Sequence, residues 1–222
     1  MGKLFGTDGI RGKAGEYPMT EEMAMRVGRA VAMTFKRPGK PSMIIVGRDT
    51  RLSGPMLESA LVSGICSVGA DAGLAGVIPT PGVAFLSSAL KAAAGIVISA
   101  SHNPYYDNGI KIFNGSGYKL SDPKQAEIEE LVLNTPSANP IQPAPISGRD
   151  SIDNEMLKSY FSFLNSTLPS HLSFKGLKIV LDCANGATCR IAPELFGERG
   201  AQVEALATAP DGKNINDGCG SE

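Results

Sequence analysis

Residues 95–113 read GIVISASHNPYYDNGIKIF, in which an apolar run leads directly into a cluster of small and polar residues. The apolar run 95–99 is typical of a buried strand, and residues 110–113 predict another strand after the polar loop. Ligands of open α/β sheets bind at the carboxyl ends of the strands. The segment 99–104, SASHNP, is therefore our first candidate for a functional site.

Helical and strand patterns alternate on both sides of this segment. Thr20 is a predicted N-cap, and apolar residues after it recur at helical spacing until Pro38-Gly39 ends the run. Ser53 offers a second cap, with Pro55 in the first turn of the next helix. We predict further helices over 81–90, 121–133, 153–164 and 187–199, and strands over 43–46, 72–78, 177–181 and 201–206. This alternation predicts the α/β class, with a mixed, largely parallel sheet sandwiched between helices.

A stretch without periodicity divides the chain. Residues 134–150, NTPSANPIQPAPISGRD, are rich in Pro, Ser and Asn and indicate a linker. We therefore predict a first domain over 1–140, a linker over 141–152 and a second α/β domain over 153–222. The second domain would hold a single βαβ unit, which is too little sheet for a stable domain. We expect it to be incomplete.

Composition excludes several classes of function. The chain has 21 Lys+Arg and 22 Asp+Glu, a net charge of -1, which gives no electrostatic basis for binding a nucleic acid or an anionic membrane. The four cysteines (66, 183, 189 and 219) show no C-x-x-C spacing, so we expect reduced thiols of a cytoplasmic protein rather than disulfides or a zinc site. No apolar run approaches the roughly 20 residues of a membrane span.

The signatures of several common sites are missing. The sequence has no G-x-x-x-x-G-K-[ST], no H-E-x-x-H and no G-x-S-x-G, which leaves P-loop proteins, zincins and α/β-hydrolases unsupported. Gly115-Ser116-Gly117 lacks the third glycine of a dinucleotide-binding fingerprint.

The loop after the strand 95–99 admits three interpretations from its residues alone. Ser101 with the adjacent His102 could be a nucleophile with its base, or the serine hydroxyl could carry a phosphate. Alternatively these side chains only bond the backbone of a turn, because Asn103-Pro104 and Asp107-Asn108-Gly109 are turn-forming sequences.

Five segments resemble one known family. SASHNP (99–104) followed by YYDNGIKIF resembles the active-site serine loop of the α-D-phosphohexomutases. The opening FGTDGIRG (5–12), VGRDTR (46–51), PTP (79–81) and DCANGA (182–187) are also similar to segments of that family. The resemblance extends over nearly the whole chain in the same order. Within the family, the serine loop and the opening are most similar to the branch that acts on glucosamine phosphates.

The resemblance implies a phosphoryl-transfer mechanism. Ser101 occupies the position that the family holds as phosphoserine, with Ser99 as a nearby alternative at the end of the strand. The phosphoserine donates to glucosamine 6-phosphate, and the bisphosphate reorients and returns its other phosphate, which leaves glucosamine 1-phosphate for UDP-N-acetylglucosamine and cell-wall precursor synthesis. Mg²⁺ is the implied cofactor, bound by phosphorylated Ser101 and by aspartates outside this chain.

The resemblance assigns roles to three more residues. Arg11 would stabilise the transferring phosphoryl group, Lys111 would act near the reacting hydroxyl as base or electrostatic stabiliser, and His102 would assist proton transfer. Each has an ordinary alternative. Arg11 could bond loop carbonyls, Lys111 could be a solvated strand residue, and His102 could orient the loop.

The chain departs from the family pattern in its carboxylates. None of its ten aspartates (8, 49, 71, 107, 122, 150, 153, 182, 211 and 217) forms the D-x-D-x-D metal loop, and the third and fourth family domains are absent. We therefore expect an N-terminal piece that has no turnover alone. The resemblance to the family also implies a homodimer through the first domain. The alternatives are a sister mutase for glucose or mannose phosphates and a non-catalytic module that binds sugar phosphates.

Overall fold

The computed structural model describes residues 4–7, 9–36, 42–134 and 149–221. The strands are β1 (Ile10–Lys13), β2 (Met43–Arg48), β3 (Asp71–Val77), β4 (Ala94–Ile98), β5 (Asp107–Asn114), β6 (Lys178–Asp182) and β7 (Gln202–Leu206). The helices are α1 (Glu21–Phe35), α2 (Gly54–Cys66), α3 (Thr80–Ala89), α4 (Asp122–Asn134), α5 (Arg149–Ser166) and α6 (Ile191–Glu198). The predicted stop at Pro38-Gly39 and residues 141–148 of the predicted linker lie outside the described residues.

The first sheet has five strands in the order β1-β5-β4-β2-β3. β2 pairs in parallel with β3 and β4, whereas β5 is antiparallel to both β4 and β1. The predicted mixed α/β class is confirmed, although half of the strand pairings are antiparallel. The sequence pattern missed β1 because Ile10 is the one apolar residue in IRGK, which leaves no alternation to detect.

Helices cover both faces of this sheet, as predicted. One core joins α1, α2 and α4 to Ile44, Val46 and Ile96, and the other joins α3 and α5 to Ile45 and Val97. The alternation of these side chains along β2 and β4 follows the two-residue period of a strand buried on both faces.

Helix α5 packs on the first sheet. Tyr160 is buried beside α3, and Met156 and Leu157 contact the same core. The sequence pattern assigns the helical segment 153–164 to the start of the second domain, whereas in the structure this helix packs on the first sheet. The domain division at 141–152 stays a prediction. Among the described residues, no helix is both long and apolar enough to cross a membrane.

A second sheet consists of β6 and β7, paired in parallel and connected through α6. The predicted helix over 187–199 is shorter in the structure, because residues before Ile191 form turns. A hydrogen bond from the Thr50 hydroxyl to the Asn185 carbonyl joins this unit to the loop that follows β2.

The two predicted helix caps differ. Thr20 caps α1, since its hydroxyl accepts a hydrogen bond from the Met23 amide at 3.2 Å. Ser53 makes no side-chain cap for α2, and its hydroxyl instead accepts a hydrogen bond from Asn108 at 2.8 Å. Ser53 is thus the N-cap residue of α2, as predicted, but its hydroxyl bonds Asn108 at the start of β5 and not the helix.

Candidate active site

Ser101 lies in the turn that follows the carboxyl end of β4. Its backbone has a φ of 58°, in the left-handed region that residues other than glycine seldom adopt. Its amide donates to the Ser99 hydroxyl at 3.1 Å, and the Asn103 amide closes the turn on the Ala100 carbonyl at 3.1 Å. Ser101 and His102 are both exposed, whereas Ser99 is 7% exposed. The structure thus presents Ser101 to solvent and uses Ser99 to shape the loop.

Arg11 and Lys111 lie on one face of the sheet, beside this turn. Arg11 pairs with Gly109, and the Gly109 carbonyl accepts the Ser99 amide at 2.9 Å, so the three residues form a row across β1, β5 and the end of β4. Lys111 is two residues from Gly109 on β5 and pairs with Val97. Residues paired across strands, or two apart along one, share a face. Strands are about 4.8 Å apart, which puts the Cα atoms of Arg11 and Ser99 roughly 10 Å apart.

Glycine is required in the middle of that row. A Cβ on Gly109 would lie 2.7 Å from the Ser99 carbonyl oxygen and 3.2 Å from Cγ of Arg11. Because the closest of these atoms is backbone, the strands would have to move to accommodate a side chain. The glycine therefore leaves room for the Arg11 side chain beside β5.

A buried ion pair supports the loop from inside the protein. Arg51 has no exposed surface, and its guanidinium pairs with the carboxylate of Asp49, which is 5% exposed. Asp49 also accepts the Arg51 amide at 3.0 Å. The other terminal nitrogen of Arg51 donates to the carbonyls of Ser101 and Asn103. Charge-assisted hydrogen bonds of this kind fix the backbone of the turn.

A residue from the far end of the chain reaches the same two carbonyls. Nδ2 of Asn216 lies 3.0 Å from the carbonyl oxygen of Ser101 and 3.0 Å from that of Asn103. The Asn103 side chain in turn donates to the Asp107 carboxylate at 2.9 Å. The serine loop therefore accepts hydrogen bonds from two parts of the chain. One is the first unit, which contains the five-stranded sheet, and the other is the segment after β7, in the second unit.

The segment DCANGA forms the turn that carries this second contact. Ala184 and Asn185 have φ values of 52° and 49°. The Asp182 carboxylate accepts the amides of Gly220 at 2.7 Å and Ala184 at 2.8 Å, and these hydrogen bonds hold the pKa of Asp182 below its ordinary value. Asn185 donates to the Asn214 carbonyl at 3.2 Å, which ties the segment ahead of Asn216 to the turn.

Burial raises the pKa of two cysteines near this turn. Cys66, Cys183, Cys189 and Cys219 are all free thiols. Burial raises the pKa of Cys183, and it raises the pKa of Cys189 to about 11. A thiol with so high a pKa is protonated at neutral pH and is a poor nucleophile or metal ligand.

The described residues contain no cluster of metal-binding side chains. No group of three or more His, Cys, Asp or Glu among them could hold a metal ion. Ser101 offers one exposed oxygen, a hard donor of the kind that Mg²⁺ accepts, but Mg²⁺ requires about six ligands. The Ser101 oxygen would therefore fit one ligand position of Mg²⁺, and the described residues do not form the rest of a site.

Sequence reasoning missed three residues at the loop. The segment VGRDTR resembles the family, but the sequence analysis assigns no role to Asp49 and Arg51. An Asp and an Arg two residues apart at a strand end are a signal for an ion pair. The contact of Asn216 with the serine loop spans 115 residues of the chain, so no local pattern predicts it.

Comparisons with known proteins show what the chain is similar to. The family description "Phosphoglucomutase/phosphomannomutase, alpha/beta/alpha domain I" matches residues 2–139. The chain is 57% identical to a phosphoglucosamine mutase of Syntrophus aciditrophicus (strain SB) and 53% identical to one of Syntrophobacter fumaroxidans, over its whole length in both cases and 49% of theirs. It spans about half the length of these curated relatives. A crystal structure of a phosphoglucomutase/phosphomannomutase family protein from Burkholderia thailandensis superimposes with a TM-score of 0.72 at 26% identity, over 95% of this chain and 45% of that one.

Proposed function

The chain belongs to the phosphoglucomutase/phosphomannomutase family, and from this premise we propose that it is the phosphoserine-bearing part of a phosphoglucosamine mutase. The observation that carries the proposal is the placement of Ser101. Ser101 is exposed and has a left-handed backbone, and it lies next to the sheet face that holds Arg11 and Lys111. The relatives over 50% identical that are named phosphoglucosamine mutases support the glucosamine substrate.

The proposed reaction consists of two phosphoryl transfers. In the first, the bond between phosphorus and Oγ of phosphorylated Ser101 breaks while a bond to O1 of glucosamine 6-phosphate forms. The O1 proton passes to a base, and the serine oxygen takes up a proton. After the bisphosphate reorients, the 6-phosphoryl group returns to Ser101 and leaves glucosamine 1-phosphate. Such transfers depend mainly on positioning and charge stabilisation.

Three side chains would supply that stabilisation and the proton transfers. Arg11 would bind the transferring phosphoryl group through its planar fork of donors, in the row that ends at the serine loop. Lys111, on the same face, would act at the reacting sugar hydroxyl as base or as electrostatic stabiliser. His102, exposed beside Ser101, would carry a proton to or from the serine oxygen.

Mg²⁺ would bind an oxygen of phosphorylated Ser101, together with carboxylates outside the described residues. Its contribution when bound is to neutralise charge on the phosphoryl oxygens. The clustered oxygens of a phosphoserine at an exposed turn fit this role, since a phosphoserine carries about -1.5 to -2 charge.

A comparison of two serine variants tests the proposal. In the protein expressed from its complete gene, Ser101→Ala should abolish conversion of glucosamine 6-phosphate, because no atom remains to carry the phosphoryl group. Ser99→Ala is the matched control. It removes the hydroxyl that accepts the Ser101 amide, so activity should fall but remain measurable.

Three substrates separate the alternatives. Glucosamine 6-phosphate should be converted faster than the glucose and mannose phosphates, and the reverse order would assign the chain to a sister mutase. A wild-type protein without activity on all three would favour a non-catalytic module that binds sugar phosphates. An active Ser101→Ala variant would contradict the assigned carrier.

The family resemblance also supports a cytoplasmic enzyme that forms a homodimer through the first domain. Sedimentation of the protein expressed from its complete gene tests the second statement. A mass of one subunit across the micromolar range would contradict it.

A further inference from the structure

We propose that Asn216 is a positioning residue for Ser101, acting from the second unit together with the buried Arg51. The inference rests on the proposed function, because it assigns Asn216 a part in holding the phosphoryl carrier. Asn216 lies between β7 and the end of the described chain, in a segment whose role the family comparison leaves unassigned.

The contact geometry supports this role. The carbonyl of Ser101 accepts hydrogen bonds from Arg51 at 3.1 Å and from Asn216 at 3.0 Å. The carbonyl of Asn103 accepts from the same two side chains, at 3.0 Å for Asn216. A carbonyl oxygen has two lone pairs, so both carbonyls have their full number of partners. The turn is held on both sides of His102, and its backbone direction is fixed.

The conformation of Ser101 explains why the turn requires such support. A φ of 58° brings the serine Cβ close to its own backbone, which is unfavourable for an L-residue with a side chain. Without the two donors, the loop would relax towards an ordinary backbone conformation. The Ser101 oxygen would then move relative to Arg11 and Lys111, and misplacement by about 1 Å is enough to slow an enzymatic step.

Asn216 is itself rigidly mounted. Its φ is 58°, a left-handed value that Asn tolerates better than most residues, and its amide donates to the Ala184 carbonyl at 3.0 Å. Ile215, the residue before it, is 4% exposed. Asn therefore satisfies two requirements together, namely the left-handed backbone and a side-chain N–H donor directed at the serine loop.

The charges around the Ser101 and Asn103 carbonyls also favour an amide side chain at position 216. Asp49 neutralises Arg51, so the two donors hold the carbonyls without adding net charge under a phosphoserine. An aspartate at position 216 would direct a carboxylate at two carbonyl oxygens and would lose the donor. Its shape and backbone preference would remain close to those of Asn.

Two substitutions at Asn216 separate the side chain from the backbone. Asn216→Gly keeps the left-handed backbone and removes the amide, and Asn216→Asp keeps the shape and reverses the interaction. In the protein expressed from its complete gene, both should lower kcat on the order of 10–100-fold, with the substrate KM and the melting temperature little changed. The matched control is Asn165→Asp at the end of α5, because Asn165 bonds Arg199 and Glu198 and not the serine loop.

Hydrogen exchange of the peptide that contains residues 99–108 gives a readout independent of turnover. Both Asn216 variants should exchange faster there than the wild type, whereas Asn165→Asp should match the wild type. Unchanged exchange and unchanged kcat in both Asn216 variants would overturn the inference. A wild type inactive on every hexose phosphate would overturn the proposed function instead, and the exchange result would still decide whether Asn216 holds the loop.

Discussion

The two sheets of this chain are buried to very different extents. All five residues of β4 in the first sheet are buried, because helices cover both of its faces. β6 in the second sheet alternates between exposed and half-buried residues, and Val180 is 63% exposed. The first sheet is therefore the rigid support from which the serine loop extends. The second unit contributes to the site through individual hydrogen bonds from its loops.

This difference has a consequence for the chemistry. Arg11, Lys111 and Ser101 all belong to the first unit, two of them to strands of the buried sheet. A rigid element holds a reactive group more precisely than a mobile one, so catalytic residues are expected on the buried sheet. The contact of Asn216 with Ser101 then adjusts a turn that the first sheet has already placed.

Truncation of matched strand residues should show the largest contrast between the sheets. Ile96→Ala in β4 removes a side chain with no exposed surface and should lower the free energy of unfolding by about 2–5 kcal/mol. Val180→Ala in β6 should change it by no more than about 0.5 kcal/mol, because most of that side chain is in water. Urea denaturation of both variants measures the two values, and equal losses would contradict the comparison.

Added methyl groups on helices should give the next largest effect. A Cβ on Gly64 in α2 would lie 2.0 Å from the Met25 carbonyl oxygen of α1, so Gly64→Ala should cost about 1–3 kcal/mol as the two helices separate. Thermal unfolding followed by circular dichroism measures this loss.

Gly197→Ala in α6 is the control in the second unit. No atom lies within 4 Å of its added Cβ, and alanine favours a helix over glycine by about 0.5–1 kcal/mol. If Gly197→Ala raises the stability and Gly64→Ala lowers it, the helix α2 of the first unit is tightly packed at Gly64 and the helix α6 of the second unit is not at Gly197. Destabilisation of both by the same amount would refute it.

The anchor of the N-terminal segment should show a smaller effect. The Glu129 carboxylate accepts the amides of Leu4 at 2.9 Å and Phe5 at 3.1 Å, just ahead of β1, the strand that carries Arg11. Glu129→Ala leaves both amides without this acceptor and should cost about 1–2 kcal/mol. Glu129→Gln keeps an acceptor oxygen and should cost less. Equal losses in the two variants would show that the hydrogen bonds are not the cause.

The acid response of the second unit should be the smallest effect. The pKa of Asp182 is lowered in the folded protein by the amides of Gly220 and Ala184. Its contribution to stability is thus fully present above its ordinary pKa of 3.8, and it is lost as the pH falls through the lower folded value. Asp182→Asn should weaken the pH dependence of stability below about pH 4. An unchanged acid profile would contradict the assigned hydrogen bonds.

The sequence could predict most of the fold because the periodicity of buried elements is local. Helix α1 begins after Thr20 as expected, and β2 to β4 appear as short apolar runs bounded by glycine or a helix cap. β1 carries one buried side chain and exists through its pairing with β5, so no local pattern reveals it. α6 begins later than its pattern indicates, because two left-handed residues and a turn precede it.

The site was partly predictable for the same reason. Ser101 and His102 follow a strand in a recognisable segment, and Arg11 and Lys111 lie in segments that resemble the family. Their roles stay predictions. Hydrogen bonds that join distant parts of the chain leave no local pattern, so the support from Arg51 and Asn216 became apparent only from the structure, at separations of 50 and 115 residues.

The most direct test of the central claim is to locate phosphate on the serine loop. The protein expressed from its complete gene would be incubated with glucosamine 1,6-bisphosphate, and the peptide that contains Ser99 and Ser101 would be sequenced by tandem mass spectrometry. We predict one phosphoryl group, on Ser101. If that group carries an oxygen-18 label, the label should pass to the sugar phosphates when glucosamine 6-phosphate is added, while Ser101 stays phosphorylated. Phosphate on Ser99, or an unmodified peptide under these conditions, would contradict the assignment of Ser101 as the phosphoryl carrier.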